Sequence, residues 1–120
     1  MSLMAAVLVA ATSLHITVWP DGPGKGRHTY TLRCAPAAGT LPKRTAACAR
    51  LAKMTRPFAP TPKNVVCTEL YGGPAEAVVT GRLRGHPVSA RFGRKDGCQI
   101  GRWNRVAFLF PGVGASQSGS

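Results

Sequence analysis

Four cysteines are the residues of this chain with the most clearly defined chemistry. They are Cys34, Cys48, Cys67 and Cys98, separated by 14, 19 and 31 positions. No pair has the close spacing of a zinc knuckle or a redox motif, so we expect no metal site. An even number of cysteines in a short chain favours two disulfides, an oxidising compartment and therefore secretion. Spacing alone leaves three possible pairings open.

Residues able to catalyse a reaction are few. The histidines and carboxylates of the chain are His15, His28, His86, Asp21, Glu69, Glu76 and Asp96. No G-x-S-x-G or comparable motif surrounds any serine, so no sequence motif indicates a serine nucleophile paired with a general base. We therefore predict that the protein is not an enzyme and needs no cofactor.

The elements that must position these residues begin with two strands. Leu14, Ile16 and Val18 alternate with polar residues, which predicts a strand with one buried face. The turn-forming run 20–24 (PDGPG) ends it, and His28–Cys34 alternates again as an antiparallel partner. The other face of the first strand carries His15, Thr17 and Trp19.

A helix and a rigid loop follow. The alanine-rich run 45–54 predicts a short helix with Thr45 as its N-cap and with Cys48, Leu51 and Ala52 on one face. Three prolines between positions 56 and 64 exclude a helix or a central strand there and predict an exposed, stiff loop. Residues 65–71 are extended, and the pattern alone favours an ordinary edge strand there.

The rest of the chain predicts further strands. Residues 75–84 and 88–92 form a hairpin around the turn 84–87, and 106–110 (VAFLF) is interpreted as the last strand. The expected class is therefore α+β: a five-stranded antiparallel sheet with one or two short helices packed on it.

Length and composition limit the architecture to one domain. The chain has 120 residues, of which 44% are hydrophobic, and we place the domain at residues 13–110. Residues 1–12 are interpreted as an N-terminal extension or the remnant of a signal peptide, and 111–120 as a flexible tail. The longest apolar run near the N-terminus covers nine residues, 3–11, which is too short to span a membrane.

The net charge of +12 attracts the protein to anionic surfaces. The cations are spread along most of the chain, and Trp103 between Arg102 and Arg105 is the one position suited to stacking on a base. We expect no specific nucleic-acid partner. A basic extracellular module that binds polyanions, with no further activity, is one function that this charge allows.

Taken together, the ordered motifs resemble the Streptomyces subtilisin inhibitor family. The resemblance extends over about residues 14–110. It rests on these segments, in chain order: Cys34-Ala35-Pro36, Ala47-Cys48, Val66-Cys67-Thr68, Tyr71-Gly72-Gly73-Pro74, Gly97-Cys98, Arg102-Trp103 and Val106-Ala107-Phe108. The resemblance implies a secreted, substrate-like inhibitor of extracellular serine proteases, with five strands, two helices and a homodimer formed between sheets. It also implies the disulfides Cys34–Cys48 and Cys67–Cys98.

The family position of the reactive bond falls between Glu69 and Leu70. The resemblance implies that the surrounding loop contacts the protease through Val65, Val66, Cys67, Thr68, Tyr71 and Gly72, with Val66 directed to the apolar fourth subsite. Family members commonly carry an apolar or basic residue at the position of Glu69. A carboxylate is costly to bury in an apolar pocket, so a glutamate-specific protease is a candidate target beside subtilisin-like ones.

Overall fold

The computed structural model describes residues 11–113, which form one antiparallel sheet with helices packed against one face. The strands are β1 (Thr12–Trp19), β2 (His28–Cys34), β3 (Ala38–Gly39), β4 (Glu76–Leu83) and β5 (His86–Phe92), and the helices are α1 (Arg44–Ala52), α2 (Gly97–Arg105) and a 3₁₀ helix (Ala107–Leu109). The spatial order of the strands is β3-β2-β1-β4-β5. The expected α+β class with five antiparallel strands, two helices and two disulfides is confirmed. Most of the extension 1–12 and of the tail 111–120 lies outside the described residues.

Strand β1 lies at the centre of the sheet and separates its two faces. Leu14, Ile16 and Val18 are buried as predicted, and Leu14 lies opposite Leu32 of β2. Residues of opposite orientation form an uncovered surface, here called the open face. It consists of Ser13, His15, Thr17 and Trp19 of β1 with their cross-strand neighbours Arg33, Thr31, Thr29, Arg82, Thr80, Val78 and Glu76. Alternation with a period of two thus separates an apolar core from a largely polar face.

An aromatic cluster joins the sheet to α2 and to the C-terminal segment. Phe92 of β5 lies 5.3 Å from Phe110, and Phe110 lies 4.7 Å from Trp103 of α2, measured between ring centroids. All three side chains are buried. Their tilted packing fixes α2 against the end of β5.

The segment 106–110 is not a strand, so that prediction is wrong. Leu109 N donates to Val106 O and Phe110 N donates to Ala107 O, both at 2.9 Å, which is the i to i+3 pattern of a 3₁₀ helix. The turn directs Val106, Leu109 and Phe110 into the core. An apolar run of five residues fits either a buried strand or a buried helical turn, and here the turn forms. The fifth strand is instead the two-residue β3.

Helix α1 begins one residue earlier than predicted, and Thr45 is not its N-cap. The cap is Lys43, in the left-handed region at φ 55°, and it makes no side-chain capping bond. The C-terminus of α1 is bound from a distance: Arg84, in the β4–β5 turn, donates from Nη1 to Leu51 O (3.1 Å) and from Nη2 to Met54 O (2.8 Å). The hairpin therefore adds side-chain hydrogen bonds at the end of α1, where Leu51 O also accepts from Met54 N at 3.1 Å.

The two disulfides join Cys34 to Cys48 and Cys67 to Cys98. The first connects β2 to α1, and the second connects the long loop before β4 to α2. This is the pairing that the family resemblance implies. No helix among residues 11–113 is long and apolar enough to cross a membrane.

Candidate reactive loop

The connection between α1 and β4 has neither helix nor strand from residue 54 to 75. Within it, residues 65–73 run extended beside the N-terminus of α2 without joining the sheet. The edge-strand alternative for residues 65–71 is therefore not found. Glu69 and Leu70 are both exposed at the middle of this segment.

This extended segment carries an unusual apolar surface. Exposure reaches 47% for Val65, 95% for Val66, 60% for Leu70 and 65% for Tyr71. Among residues 11–113 these four are the large hydrophobic side chains that are exposed. Exposed apolar side chains gathered on one segment mark a binding surface, because isolated proteins rarely leave such a patch in water.

The N-terminal flank of the Glu69–Leu70 bond is attached to α2 covalently. Cys67, two residues before Glu69, forms the disulfide with Cys98 in the first turn of α2. Thr68 O also accepts a hydrogen bond from Gly97 N at 2.9 Å. The close approach requires glycine at position 97, because a Cβ there would collide with Oγ1 of Thr68.

The C-terminal flank is held by Arg94. Gly72 N donates to Arg94 O at 2.7 Å, and Arg94 Nε donates to Gly72 O at 3.0 Å. The Arg94 side chain is buried, lies 5.6 Å above the Trp103 ring, and approaches Asn104 Oδ1 at 3.4 Å. A buried guanidinium must have such partners to offset its loss of hydration.

Sequence reasoning did not identify Arg94 as the side chain that supports the loop. The segment 93–97 (GRKDG) is strongly charged, and the family resemblance implies that it helps to support the loop without indicating which side chain does so. The local sequence of such a segment is the same whether an arginine in it is buried or exposed to solvent. The signal that sequence does contain is the position of the segment directly before Cys98, the partner of the loop cysteine.

A single segment, residues 94–98, therefore contacts both flanks of the Glu69–Leu70 bond. That segment is itself fixed by a helix cap: Asp96 Oδ1 accepts from Gln99 N, and Gln99 Oε1 accepts from Lys95 N, each at 2.9 Å. Reciprocal capping of this kind satisfies donors at the start of α2. The loop thus rests on a rigid support.

Arg102 binds the proline-rich segment that precedes the loop. Its guanidinium donates to Ala59 O (2.8 Å), Phe58 O (3.2 Å) and Arg91 O (2.7 Å). Burial lowers the pKa of Arg102, and the charge of Arg105 lowers it further. Arg102, which precedes the Trp103 position considered for stacking on a base, is thus bound by backbone carbonyls.

The remaining candidates for chemistry do not converge. His15, His28 and His86 are exposed and lie on different strands. Glu76 accepts from Arg91 (3.4 Å) and lies 3.8 Å from Lys95. Among the described residues, the one grouping with metal-ligand types is Cys67, Asp96 and Cys98, and its two sulfur atoms are bonded to each other.

Comparison with known proteins identifies the class. Residues 10–93 match the family model of subtilisin inhibitor-like proteins, a stretch that includes the loop and ends before Cys98. The chain therefore belongs to the subtilisin inhibitor-like family, which consists of inhibitors rather than enzymes.

Among solved structures, the chain is similar to sermetstatin of Streptomyces caespitosus, crystallised in complex with subtilisin of Bacillus licheniformis. The TM-score is 0.53 at 23% identity, over 84% of this chain and 98% of that chain. This likeness shows a shared fold. No curated protein matches the sequence significantly.

Proposed function

We propose that the protein is a secreted inhibitor of extracellular serine endopeptidases and that it presents residues 65–72 as a substrate-like loop with Glu69–Leu70 as the reactive bond. The observation that carries the proposal is the exposed apolar segment with both flanks attached to residues 94–98. A segment that is already ordered loses little conformational entropy when a protease cleft closes around it. Membership of the subtilisin inhibitor-like family supports the same function.

The geometry explains how such a loop inhibits rather than being consumed. Attack by the protease serine on the Glu69 carbonyl forms an ester and releases the amine of Leu70. Because Cys67, Thr68 and Gly72 are all attached to residues 94–98, the two new chain ends stay close together. The Leu70 amine can then attack the ester, re-form the peptide bond and free the serine, so hydrolysis is slow.

The loop residues have distinct parts in this proposal. Val66, the most exposed of the apolar side chains, enters an apolar fourth subsite, and Leu70 and Tyr71 contact the leaving-group side. Glu69 enters the first subsite and sets specificity. A pocket with positive or hydrogen-bonding groups accepts its carboxylate, whereas a broad apolar pocket leaves it unpaired, at a cost of about 1 to 3 kcal/mol.

The test is titration of subtilisin and of a glutamate-specific serine endopeptidase with the protein and with Glu69→Leu. We expect Glu69→Leu to strengthen inhibition of subtilisin about 5- to 150-fold and to abolish inhibition of the glutamate-specific enzyme. Glu69→Lys should extend inhibition to trypsin. An unchanged protease spectrum in both variants would show that the reactive bond lies elsewhere, and no inhibition of any of these enzymes by the unmodified protein would refute the function.

The homodimer is part of the same proposal. The open face, with Trp19 at one end and Thr17 at its centre, is the flat surface on which a second sheet would lie. A symmetric contact there would cover Trp19 of both copies, so Trp19→Lys should weaken it by placing a cation in the interface. Analytical ultracentrifugation should give a dimer for the unmodified protein and more monomer for the variant, and a monomeric unmodified protein would exclude this contact.

A further inference from the structure

The cationic side chains form two groups, those that make hydrogen bonds or ion pairs and those that make none, and sequence alone does not separate them. The cations after residue 68 are Arg82, Arg84, Arg91, Arg94, Lys95, Arg102 and Arg105, and every one of them makes a side-chain hydrogen bond or ion pair. They are held by backbone carbonyls, by Glu76 or by Asn104. Most of them are therefore part of the scaffold.

The earlier population behaves differently. Residues 22–68 contain no carboxylate and carry the cations Lys25, Arg27, Arg33, Lys43, Arg44, Arg50, Lys53, Arg56 and Lys63. All nine are exposed, and none of their side chains makes a hydrogen bond or ion pair within residues 11–113. Arg50 stacks at 4.7 Å over the Phe108 ring, a contact that leaves its N–H donors free.

Five of these free cations lie on or directly beside α1, and we call them the basic ridge: Lys43, Arg44, Arg50, Lys53 and Arg56. Lys43 precedes the helix in the left-handed region and lines the same groove as Arg50. Lys53 follows Arg50 at a spacing that keeps it on that side. Lys43, Arg50 and Lys53 therefore lie along one side of α1, and Arg44 and Arg56 add positive charge near its two ends.

Two of the five ridge cations are placed against the intrinsic preference of the helix. Lys43 caps α1 and Arg44 opens its first turn, where no acidic residue is present. Cations at that end are repelled by the helix dipole, and their neighbours along the ridge repel them as well. A sequence that keeps two cations at that end, in a stretch of 47 residues without one carboxylate, favours an anionic partner over self-pairing.

The ridge also lies away from the loop. Helix α1 packs against β2 and β3, at one end of the strand order, whereas the loop is attached to α2, which packs against β5 at the other end. We therefore expect a protease seated on residues 65–72 to leave Lys43, Arg44, Arg50 and Lys53 accessible.

From these observations we infer that the basic ridge is a second binding site, for a linear polyanion recognised by charge, and that it operates while a protease is bound. Guanidinium groups pair bidentately with phosphate or sulfate oxygens, which suits the three arginines of the ridge. Such a site would retain the inhibitor on anionic extracellular polymer without using the reactive loop. Binding of the polyanion does not depend on the proposed function, whereas its operation beside a bound protease rests on it.

The experiment measures binding of three probes by fluorescence anisotropy: single-stranded dT30, inorganic polyphosphate of similar length and a heparin oligosaccharide. For dT30 we expect log K to fall with log salt at a slope of about −3 or steeper, because about four or more contacts at about 0.7 each are released. Binding to all three probes supports recognition by charge. Binding to dT30 alone, or to none, overturns it.

A matched pair of variants tests the location. Lys43→Gln/Arg50→Gln/Lys53→Gln and Lys25→Gln/Arg82→Gln/Arg91→Gln lower the net charge equally, and all six side chains are exposed. The ridge variant should lose at least about tenfold in affinity and the control less than about threefold, because each lost contact lowers K. Equal losses would show that net charge, and not the ridge, binds the polymer.

Protease inhibition provides the independent readout. Both triple variants should inhibit as the unmodified protein does, which also shows that they are folded. Should the unmodified protein inhibit no protease, the polyanion measurement still stands by itself. Displacement of dT30 by a saturating protease would contradict simultaneous binding.

Discussion

The two flanks of the Glu69–Leu70 bond are attached to the same five residues by different kinds of bond. The N-terminal flank is joined to α2 by the Cys67–Cys98 disulfide, whereas the C-terminal flank is held at Gly72 by two hydrogen bonds to Arg94. In the proposed acyl-enzyme, the first flank bears the ester and the second bears the amine. We therefore expect the N-terminal attachment to control the shape of the loop and the C-terminal attachment to control how long the inhibited complex lasts. Mutations can test the two attachments separately.

The largest effect should come from breaking the covalent flank. In Cys67→Ser/Cys98→Ser the loop loses its cross-link, and we expect inhibition to weaken at least about 100-fold, because the chain-entropy model assigns about 3.7 kcal/mol to a loop of about 32 residues. Protease should then cleave the variant at Glu69–Leu70, which mass spectrometry detects.

The other disulfide is the control for that experiment. Cys34→Ser/Cys48→Ser removes a bond between β2 and α1, remote from the loop. It should lower the melting temperature while leaving inhibition intact below the transition. Full inhibition by the Cys67 and Cys98 variant would mean that the hydrogen bonds alone keep the loop rigid.

A smaller and kinetically distinct effect is expected on the other flank. Arg94→Met removes the donor to Gly72 O, and a hydrogen bond from a charged group contributes about 1.5 to 3 kcal/mol. We expect the variant to bind at a nearly normal rate but to be hydrolysed about 10- to 100-fold faster, so that inhibition becomes temporary. The measurement is the fraction of cleaved inhibitor over time at a fixed amount of protease.

Two further substitutions determine what Arg94 contributes. Arg94→Lys keeps the charge without the planar group and should restore part of the lifetime, and Arg91→Met alters an exposed arginine and should change nothing. If Arg94→Met lowers only the melting temperature and leaves hydrolysis slow, Arg94 has a purely structural part.

The smallest effect concerns the contact between Thr68 and Gly97. Gly97→Ala places a methyl group against Oγ1 of Thr68, which must rotate or shift, and we expect inhibition to weaken about 3- to 10-fold, corresponding to about 1 kcal/mol. Gly101→Ala in the same helix meets open space and should raise stability by about 1 kcal/mol without affecting inhibition. Equal inhibition constants for the two variants would show that the loop adapts freely.

Sequence reasoning succeeded where a pattern repeats. The alternation of Leu14, Ile16 and Val18 predicts β1 and its buried face, and the β4–β5 hairpin was also predicted around its turn. Helix α2 was not located from its pattern, because its residues include two glycines and it depends on the Asp96 cap. The apolar run at 106–110 contains no information to distinguish a strand from a helical turn.

The candidate site divides in the same way. The position of the loop and both disulfides follow from the family resemblance, and the placement of the reactive bond stays a prediction. Burial of Arg94 could not be predicted, because its partners at Gly72 and Trp103 come together only in the folded chain. The partition of the cations into bonded and free populations is likewise a property of three-dimensional contacts.

The hydrogen bonds from Arg84 to the end of α1 have a consequence for the order of events during folding. A helix of nine residues is not stable alone in water, and Arg84 reaches Leu51 O and Met54 O from a turn about 30 residues further along the chain. Strand β4 must also find β1 across most of the domain. The amides of helix α1 should therefore become protected from hydrogen exchange only once the β4–β5 hairpin has docked. The last part of the sheet to be synthesised thus determines when the first helix is stably formed.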